Sequence, residues 1–300
     1  MELRHLTYFI AVAEELHFGR AAKRLNISQP PLSVQIRQLE EEIGVRLFDR
    51  TRRRVQITPA GQAFLDEARK IVALSGEAVR RAVRAEKGEI GRLAIGFIGS
   101  ANYSVLPLVI QAFRQRFRSV EISLAEMNTS HQLEALCDGR IQVGFLRPPR
   151  GIEGEGLTVE PVFRERLVAA MPRNHPLGGE ASVTWPMLAK ESYIMIPRQR
   201  GPGFFDHIIA LCQREGFSPN IVLEASQFHT VIGLVAAGIG IAVVPASMQR
   251  SRIEGVVFKS ISGGEETVLH MAWLTGNPSR ILRNFLDAAR EAARSIAPGS

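Results

Sequence analysis

The chain has 300 residues, of which 45% are hydrophobic and 22% are charged. This length allows two or three domains, each able to bury a core without disulfide bonds. The formal net charge is +7, which suits an anionic partner but is modest for the length. Two cysteines, Cys137 and Cys212, exclude both a disulfide framework and a cysteine-rich metal site.

The sequence indicates neither secretion nor a membrane location. The first five residues lack the basic and apolar regions of a signal peptide. The longest uncharged apolar run, 231–246, is shorter than the ~20 residues that a membrane helix needs, and glycines and a proline interrupt it. We therefore expect a cytoplasmic protein with no membrane partner.

The first ~60 residues are predicted to form short helices joined by tight turns. Apolar residues recur at helical spacing in three sets between positions 6 and 43. Ser28 is the predicted N-cap of the third helix, and Pro30 and Pro31 fall in its first turn, where a missing N–H costs little. The second helix, a turn at 26–27 and the third helix follow one another at the spacing of a helix-turn-helix.

A basic segment and a long helix follow. Five arginines lie within 46–54, and 55–58 alternate apolar and polar, which predicts a short basic hairpin, or wing. Thr58 and Pro59 then open a helix that is predicted to run to about Lys87. An apolar seam on this helix predicts a helix–helix dimer contact. The residues that mark the seam at seven-residue spacing are Phe64, Ile71, Ala78 and Ala85.

Beyond about Gly88, strand-like and helix-like segments alternate. The predicted strands are 93–98, 120–125, 141–145, 193–196, 221–224 and 239–244. The predicted helices are 105–116, 130–137, 204–214 and 230–237. This alternation predicts an α/β domain with mostly parallel strands. Two clusters of elements, before and after about Arg164, predict two subdomains.

The third helix has a polar face opposite its apolar one. Short polar side chains and arginine suit base edges and phosphates in the major groove, and a basic wing suits phosphates or a narrow minor groove. The competing interpretation is a small helical subdomain with a solvated basic face. The candidate DNA-binding residues are Ser28, Gln29, Pro30, Pro31, Ser33, Gln35, Arg37, Arg50, Arg52, Arg53 and Arg54.

Residues 18–36 read FGRAAKRLNISQPPLSVQI, and Gly44, Leu47-Phe48, Arg50 and Thr58-Pro59-Ala60-Gly61 follow without a gap. This run of some forty residues resembles the signature of LysR-type transcriptional regulators. The order of the remaining segments also fits that family, so the resemblance extends over the whole chain.

The resemblance implies a multi-domain protein. An all-α winged helix-turn-helix would occupy 1–58 and a linker helix for dimerisation 59–88. An α/β effector domain like type 2 periplasmic binding proteins would occupy 89–300. Within it, subdomain I would comprise about 89–163 and 266–300, and subdomain II about 164–265.

The resemblance also implies partners. They are double-stranded DNA with an interrupted inverted repeat at a promoter, RNA polymerase, a small-molecule effector, and further copies of the chain in a homodimer or homotetramer. Gln29, Pro30, Pro31 and Ser33 would contact the major groove and Arg53 the minor groove. Val34 departs from the family, whose members often carry arginine or another polar residue there.

Three loops and Arg147 are candidates for the effector site. Segments 99–102 and 128–130 each follow a predicted strand and begin a predicted helix. The exposed N–H groups at a helix start, together with a neighbouring hydroxyl, can bind an anion. Arg147 offers a fixed cation and a fork of donors for a carboxylate, and 202–204 offer an aromatic wall. The competing interpretations are helix caps, a surface arginine and a core phenylalanine. The candidate effector-binding residues are Ser100, Ala101, Asn128, Thr129, Arg147, Pro202, Gly203 and Phe204.

Two subgroups of the family share stretches with the chain. Segments 96–100, 127–129 and 144–147 are similar to regulators of aromatic-compound degradation that sense muconate-type dicarboxylates. Segments 1–26 and 230–240 are similar to the acetoin-operon regulator, which answers to acetate but differs at the Arg147 position. Both resemblances imply control of a metabolic operon by a small carboxylate or an aromatic-acid-derived metabolite, and leave its identity open.

An enzyme is the competing functional class. The sequence has no Gly-x-Ser-x-Gly elbow and no Walker loop, and 238–240 lack the third glycine of a dinucleotide fingerprint. The seven histidines are scattered, and no pair has a metal-ligand spacing with a third donor nearby. We therefore expect no catalytic residues, no metal site and no cofactor besides the effector.

Overall fold

The computed structural model of the chain describes residues 1–50, 54–149, 151–152 and 156–295. The chain divides into two compact units, Met1–Arg84 and Ala85–Ser300. No helix within the described ranges is both long and apolar enough to cross a membrane.

The first unit contains three short helices, a two-stranded hairpin and most of a long helix. Its elements are α1 (Leu3–Glu15), α2 (Phe18–Arg24), α3 (Gln29–Ile43), β1 (Phe48–Arg50), β2 (Val55–Ile57) and α4 (Pro59–Glu86). Strands β1 and β2 pair antiparallel, so the predicted wing forms on both sides of residues 51–53, which lie outside the described ranges.

Turn chemistry sets the spacing of the helices in this unit. The His17 ring Nδ1 accepts hydrogen bonds from the amides of Gly19 and Arg20 at the start of α2. Asn26 adopts a left-handed φ of 55° in the predicted turn, and Gly44 ends α3 with a φ of 79°. The helices then bury a shared core around Phe9, as the helical spacing predicts.

Helix α4 begins as predicted. The Thr58 Oγ1 accepts from the Gly61 amide at 2.9 Å and donates to the Arg46 carbonyl at 2.8 Å. A Cβ on Gly61 would lie 2.2 Å from the Leu47 carbonyl oxygen, so only glycine allows this helix to approach the preceding loop. The capped turn therefore fixes α4 against the wing.

The outer part of α4 exposes apolar side chains on a wide arc. Ile71 of the predicted seam is 39% exposed. Three further exposed residues, absent from the seven-residue pattern, flank the seam: Leu74, Val79 and Val83. The exposed apolar arc is therefore broader than the sequence pattern indicates.

The second unit alternates strands and helices. Its strands are β3 (Ile90–Phe97), β4 (Ser119–Glu126), β5 (Val143–Leu146), β6 (Leu157–Pro172), β7 (Ser182–Val183), β8 (Ser192–Met195), β9 (Asn220–Glu224), β10 (Ala242–Pro245), β11 (Val256–Ile261) and β12 (Glu266–Leu274). Its helices are α5 (Leu106–Arg116), α6 (Thr129–Cys137), α7 (Trp185–Leu188), α8 (Pro202–Arg214), α9 (Phe228–Ala236) and α10 (Arg280–Ser295). All six strands and four helices predicted for this region are present, with ends displaced by up to three residues.

The strand directions agree with the prediction in part. In the described part of the chain, eight strands form one sheet in the order β4-β3-β5-β12-β6-β11-β7, with β10 also paired to β6. The predicted strands pair with one another in parallel: β3 with β4 and β5, and β8 with β9 in a separate two-stranded sheet. Every antiparallel pair between the described strands of this unit includes β6 or β12, which were not predicted. The eight-stranded sheet is therefore mixed, and the prediction of mostly parallel strands holds only for the strands that were predicted.

The described part of this unit contains two large hydrophobic cores and a smaller cluster around Leu136 and Ile141. The first core belongs to subdomain I, in which β3, β5, α5 and α10 pack around Phe113, Phe145 and Phe285. The second core belongs to subdomain II, in which β8, β10, α8 and α9 pack around Trp185 and Tyr193. Strand β6 contributes to both cores, since Val162 lies in the first and 167–171 in the second. The long strand therefore joins the two subdomains.

Candidate functional site

The predicted DNA-binding residues of α3 form an exposed tip and edge. Ser28, Gln29, Pro30 and Pro31 are exposed, and Ser33 is half-buried. Ser28 occupies the N-cap, but its hydroxyl makes no capping hydrogen bond, so the hydroxyl remains available to a phosphate. The tip thus has the polar character that groove contact requires.

Val34 lies on this surface as well. Its side chain is 47% exposed. An aliphatic side chain offers no hydrogen bond to a phosphate, although it can contact a thymine methyl group. The departure noted in the sequence therefore changes the chemistry of an exposed position.

Gln35 and Arg50 contact other residues of the same unit. Gln35 Oε1 accepts a hydrogen bond from His5 Nε2 at 2.9 Å, and Gln35 Nε2 donates to Gln38 Oε1 at 2.8 Å. Arg50 donates to Glu40 at 2.7 Å, and its guanidinium lies 4.9 Å from the centroid of the Phe18 ring. These contacts hold the polar face of α3 and the wing in place, which is a positioning role in addition to any DNA contact.

The remaining candidates are basic. Arg37 and Arg54 are exposed. Arg52 and Arg53 lie outside the described residues, so their contacts stay predictions.

In the second unit, a cavity of about 360 Å³ lies between the two subdomains. Subdomain I lines it with residues at the ends of β3 and β4 and the start of α6. Subdomain II lines it with residues at the starts of α8 and α9. Its volume lies in the range of small-molecule binding sites.

Three helices begin at this cavity. Asn128 and Thr129 belong to the start of α6, Gly201 and Phe204 to that of α8, and Gln227 to that of α9. First-turn amides have no intrahelical acceptor and carry the positive end of the helix dipole. Their convergence makes the cavity favourable to an anion.

Aromatic and aliphatic side chains form the rest of the cavity wall. The Phe204 and Phe228 rings meet edge to face, with centroids 5.0 Å apart. Ile98, Met127 and Ile196 complete the apolar part of the lining. The cavity therefore combines an apolar body with polar helix ends.

Arg147 is buried at the back of the cavity, with 4% of its surface exposed. Three of its five N–H hydrogens are engaged inside the protein. Nε donates to Thr267 Oγ1 at 2.9 Å, Nη1 to Ser100 Oγ at 2.7 Å and Nη2 to Glu165 Oε1 at 3.0 Å. The other Glu165 oxygen accepts from the Ser247 amide at 2.7 Å. Arg147 is thus the centre of a buried network that spans both subdomains.

Burial lowers the pKa of Arg147 from its ordinary value, and the carboxylate of Glu165 opposes that shift. An arginine stays protonated in proteins, so the pair is a buried ion pair. The charge of Arg147 is therefore offset within the protein before any ligand binds.

The structure brings four of the predicted effector residues to the cavity lining: Asn128, Thr129, Arg147 and Phe204. Ser100 is buried and contacts Arg147, and Ala101 is fully buried in the core of subdomain I. Gly203 lines a neighbouring cavity instead. A Cβ on Gly203 would lie 2.2 Å from the Pro148 carbonyl oxygen. Pro202 opens α8 and is not among the residues that line either cavity.

Sequence reasoning missed several lining residues: Glu126, His131, Arg200, Ser226 and Gln227. They follow the same rule as the residues that were found, because each lies at the end of a strand, between that strand and the next helix, or in the first turn of that helix. Loop 196–201 leads into α8, and the proline at the first position of α8 marks the start of that helix in the sequence. This signal could have identified the loop as part of the candidate site, just as the start of α6 identified 128–130.

Each of the two structural units matches a known protein family. Residues 3–62 match the family described as "Bacterial regulatory helix-turn-helix protein, lysR family", and residues 86–294 match "LysR substrate binding domain". The chain belongs to the LysR family of transcriptional regulators. LysR regulators bind DNA and small-molecule effectors and are oligomeric. They are not enzymes, so the competing functional class is excluded.

Individual LysR proteins are similar over almost the whole chain. The HTH-type transcriptional regulator AlsR of Bacillus subtilis (strain 168) is 42% identical over 290 residues, 95% of this chain and 94% of that protein. TdfR of Cupriavidus pinatubonensis is 40% identical over 293 residues, 97% and 98% of the two chains. The structure of full-length CbnR with its target DNA has a TM-score of 0.86 and 32% identity, covering 98% of this chain and 100% of CbnR.

Proposed function

We propose that this LysR regulator binds a small carboxylate, aliphatic or derived from an aromatic acid, in the cavity between its two subdomains, and thereby controls transcription of a metabolic operon. The observation that carries the proposal is the convergence of three helix starts on one cavity that also has two arginines and two phenylalanines in its lining. Helix starts and arginine favour a carboxylate, and the rings favour an apolar body.

The DNA target is an interrupted inverted repeat at a promoter, read by the tip of α3 and the wing of each copy. CbnR is described in complex with its target DNA, and the exposed polar tip of α3 supports the same use here. A homotetramer, assembled as paired dimers through α4, would place these tips on one bent site and would contact RNA polymerase. Such a protein works at the bacterial nucleoid.

Effector binding between the subdomains biases their relative angle. A ligand shifts an equilibrium only by its differential affinity for the two arrangements. An anion that contacts α6 from subdomain I and α8 from subdomain II favours the closed arrangement, because only that arrangement offers both contacts. This bias would change how the dimers sit on DNA.

A thermal-shift panel tests the effector class. Acetate, benzoate and muconate are each compared with the corresponding neutral amide on the full-length protein. We expect a concentration-dependent rise in Tm with at least one carboxylate and a smaller rise with its amide, since a ligand of the native state stabilises it. No rise with any carboxylate, or an equal rise with the amides, would contradict the proposal.

A further inference from the structure

Arg200 faces the cavity from subdomain II and pairs with no carboxylate among the described residues. Its amide donates to the Pro197 carbonyl at 2.9 Å, so a turn at the end of β8 fixes its backbone. Its guanidinium Nη1 donates to His131 Nε2 at 3.1 Å. A neighbour on the same turn, Arg198, is instead bound in bidentate fashion to Asp206, at 2.7 and 3.0 Å. The turn therefore presents one arginine that is neutralised and one that is not.

Arg147 does not provide a positive charge that lacks a carboxylate partner. Its guanidinium and the Glu165 carboxylate form a buried pair at 3.0 Å, and their charges offset each other. In a buried pair, each ion already has the partner that compensates its desolvation. Arg147 can still donate a hydrogen bond to a ligand, but the unneutralised arginine that faces the cavity is Arg200.

The present partner of Arg200 is a weak one. Arginine only donates hydrogen bonds, so His131 Nε2 acts as the acceptor in this contact. A carboxylate binds a guanidinium through charge-assisted and often bidentate hydrogen bonds, roughly twice as strong as neutral ones. Exchange of the His131 nitrogen for a ligand carboxylate is therefore favourable.

This contact also spans the cavity. His131 belongs to α6 in subdomain I, and Arg200 precedes α8 in subdomain II. Beside it, the Ser130 hydroxyl donates to the Gln199 carbonyl at 2.8 Å. An anion bound at Arg200 thus lies where the two subdomains already touch.

We propose that Arg200 is the residue that selects an anionic effector, with the effector carboxylate replacing His131 as the partner of its guanidinium. This inference rests on the proposed function and assigns the charge selectivity of the same cavity to one side chain. Glu126 is the acidic residue among the described lining residues, and it weakens rather than strengthens the attraction for an anion.

Four variants of the full-length protein test the assignment by calorimetric titration with the carboxylates above and their amides. Arg200→Gln should weaken carboxylate binding by roughly ten- to a hundredfold, the range for loss of a charged hydrogen bond, and leave amide binding unchanged. Arg200→Lys keeps the charge without the fork and should lose less. Arg198→Gln is the matched control on the same turn and should bind as the parent does. Glu126→Gln should bind carboxylates equally or more tightly.

The outcomes separate this inference from the proposed function. If the parent protein prefers carboxylates and Arg200→Gln keeps that preference, the inference is overturned and the proposed function stands. If Arg200→Gln loses carboxylate and amide binding equally, Arg200 has only a structural role and the inference is also overturned. If the parent protein binds no carboxylate in preference to its amide, the proposed function fails, and this inference fails with it.

Discussion

At the scale of single residues, the buried pair of Arg147 and Glu165 has the largest energetic consequence. Arg147→Ala would leave the Glu165 carboxylate buried, with the Ser247 amide as its remaining donor. Loss of one partner of a buried pair costs about 3–5 kcal/mol. We expect the free energy of unfolding of the effector domain to fall by that amount in denaturant titrations.

A second ion pair in the same domain serves as the control. Arg290 and Glu160 form a bidentate pair, but their side chains are 37% and 33% exposed. Because solvent screens such a pair, Arg290→Ala should cost about 1 kcal/mol or less. Equal losses for the two variants would show that the Arg147 pair is no more buried in solution than the surface pair.

Other residue roles need three-dimensional information. The sequence singled out Arg147 because a fixed cation follows a strand, but its partners Glu165 and Thr267 are 18 and 120 residues away. Spacing cannot predict such pairings. Arg200 was missed for the related reason that its lack of a carboxylate partner is visible only once Arg198 is seen to hold Asp206.

At the scale of elements, Glu14 links three helices of the first unit. Its carboxylate, on α1, accepts from Arg69 on α4 and Arg24 on α2, each at 2.8 Å. These hydrogen bonds lower the pKa of Glu14, that with Arg69 most. A lowered folded-state pKa contributes stability above the unfolded value, about 4.3 for glutamate, and the contribution is lost as the pH falls through the folded value.

Glu14→Gln should therefore lower the Tm of this unit at pH 7, and the difference from the parent protein should shrink towards zero as the pH falls below about 4. Scanning calorimetry between pH 3 and pH 8 measures it. Glu67→Gln is the control, because the Glu67 pair with Lys70 lies on one exposed helix face and links no other element. A difference for Glu14→Gln that is constant across this pH range would contradict the linkage.

The exposed apolar arc of α4 predicts the surface through which two copies of the chain dimerise. Ile71 is exposed on the apolar arc, whereas Ala73, two positions or about 200° further round the helix, is exposed on the opposite side. If two copies of the chain pair through this arc, as proposed above, Ile71→Glu places a charge in the dimer contact and should weaken dimerisation roughly tenfold or more. Size-exclusion chromatography with light scattering measures this, with Ala73→Glu expected to match the parent protein. Identical masses for both variants at all concentrations would place the contact elsewhere.

Elements were predictable where their periodicity was simple. The caps at Thr58 and the turn at 26–27 marked helix ends well, because capping chemistry is local. The missed elements of the second unit are strands β6, β7, β11 and β12 and helices α7 and α10. In β6, the charged residues of 160–166 interrupt the apolar pattern that would have identified the strand. Glu160 pairs with Arg290 on α10, and Glu165 pairs with Arg147 after β5, so tertiary pairing overrode the local signal.

At the scale of the whole molecule, the protein has an exposed polar helix tip in one unit and an anion-favouring cavity in the other. The family and the order of its parts follow from the sequence, since the helix-turn-helix signature is a contiguous run. The charge arrangement of the cavity does not, because it depends on which arginine is already paired. If the proposed function is right, occupancy of the cavity by a carboxylate changes how the protein binds DNA.

The most direct test is footprinting on the region upstream of a divergent neighbouring gene, with the full-length protein and the carboxylate that most raises its Tm. We expect a salt-sensitive footprint without ligand that shortens when the carboxylate is added, and no shortening with the neutral amide. Specific DNA binding that is identical with and without the carboxylate, or the absence of salt-sensitive specific binding, would contradict it.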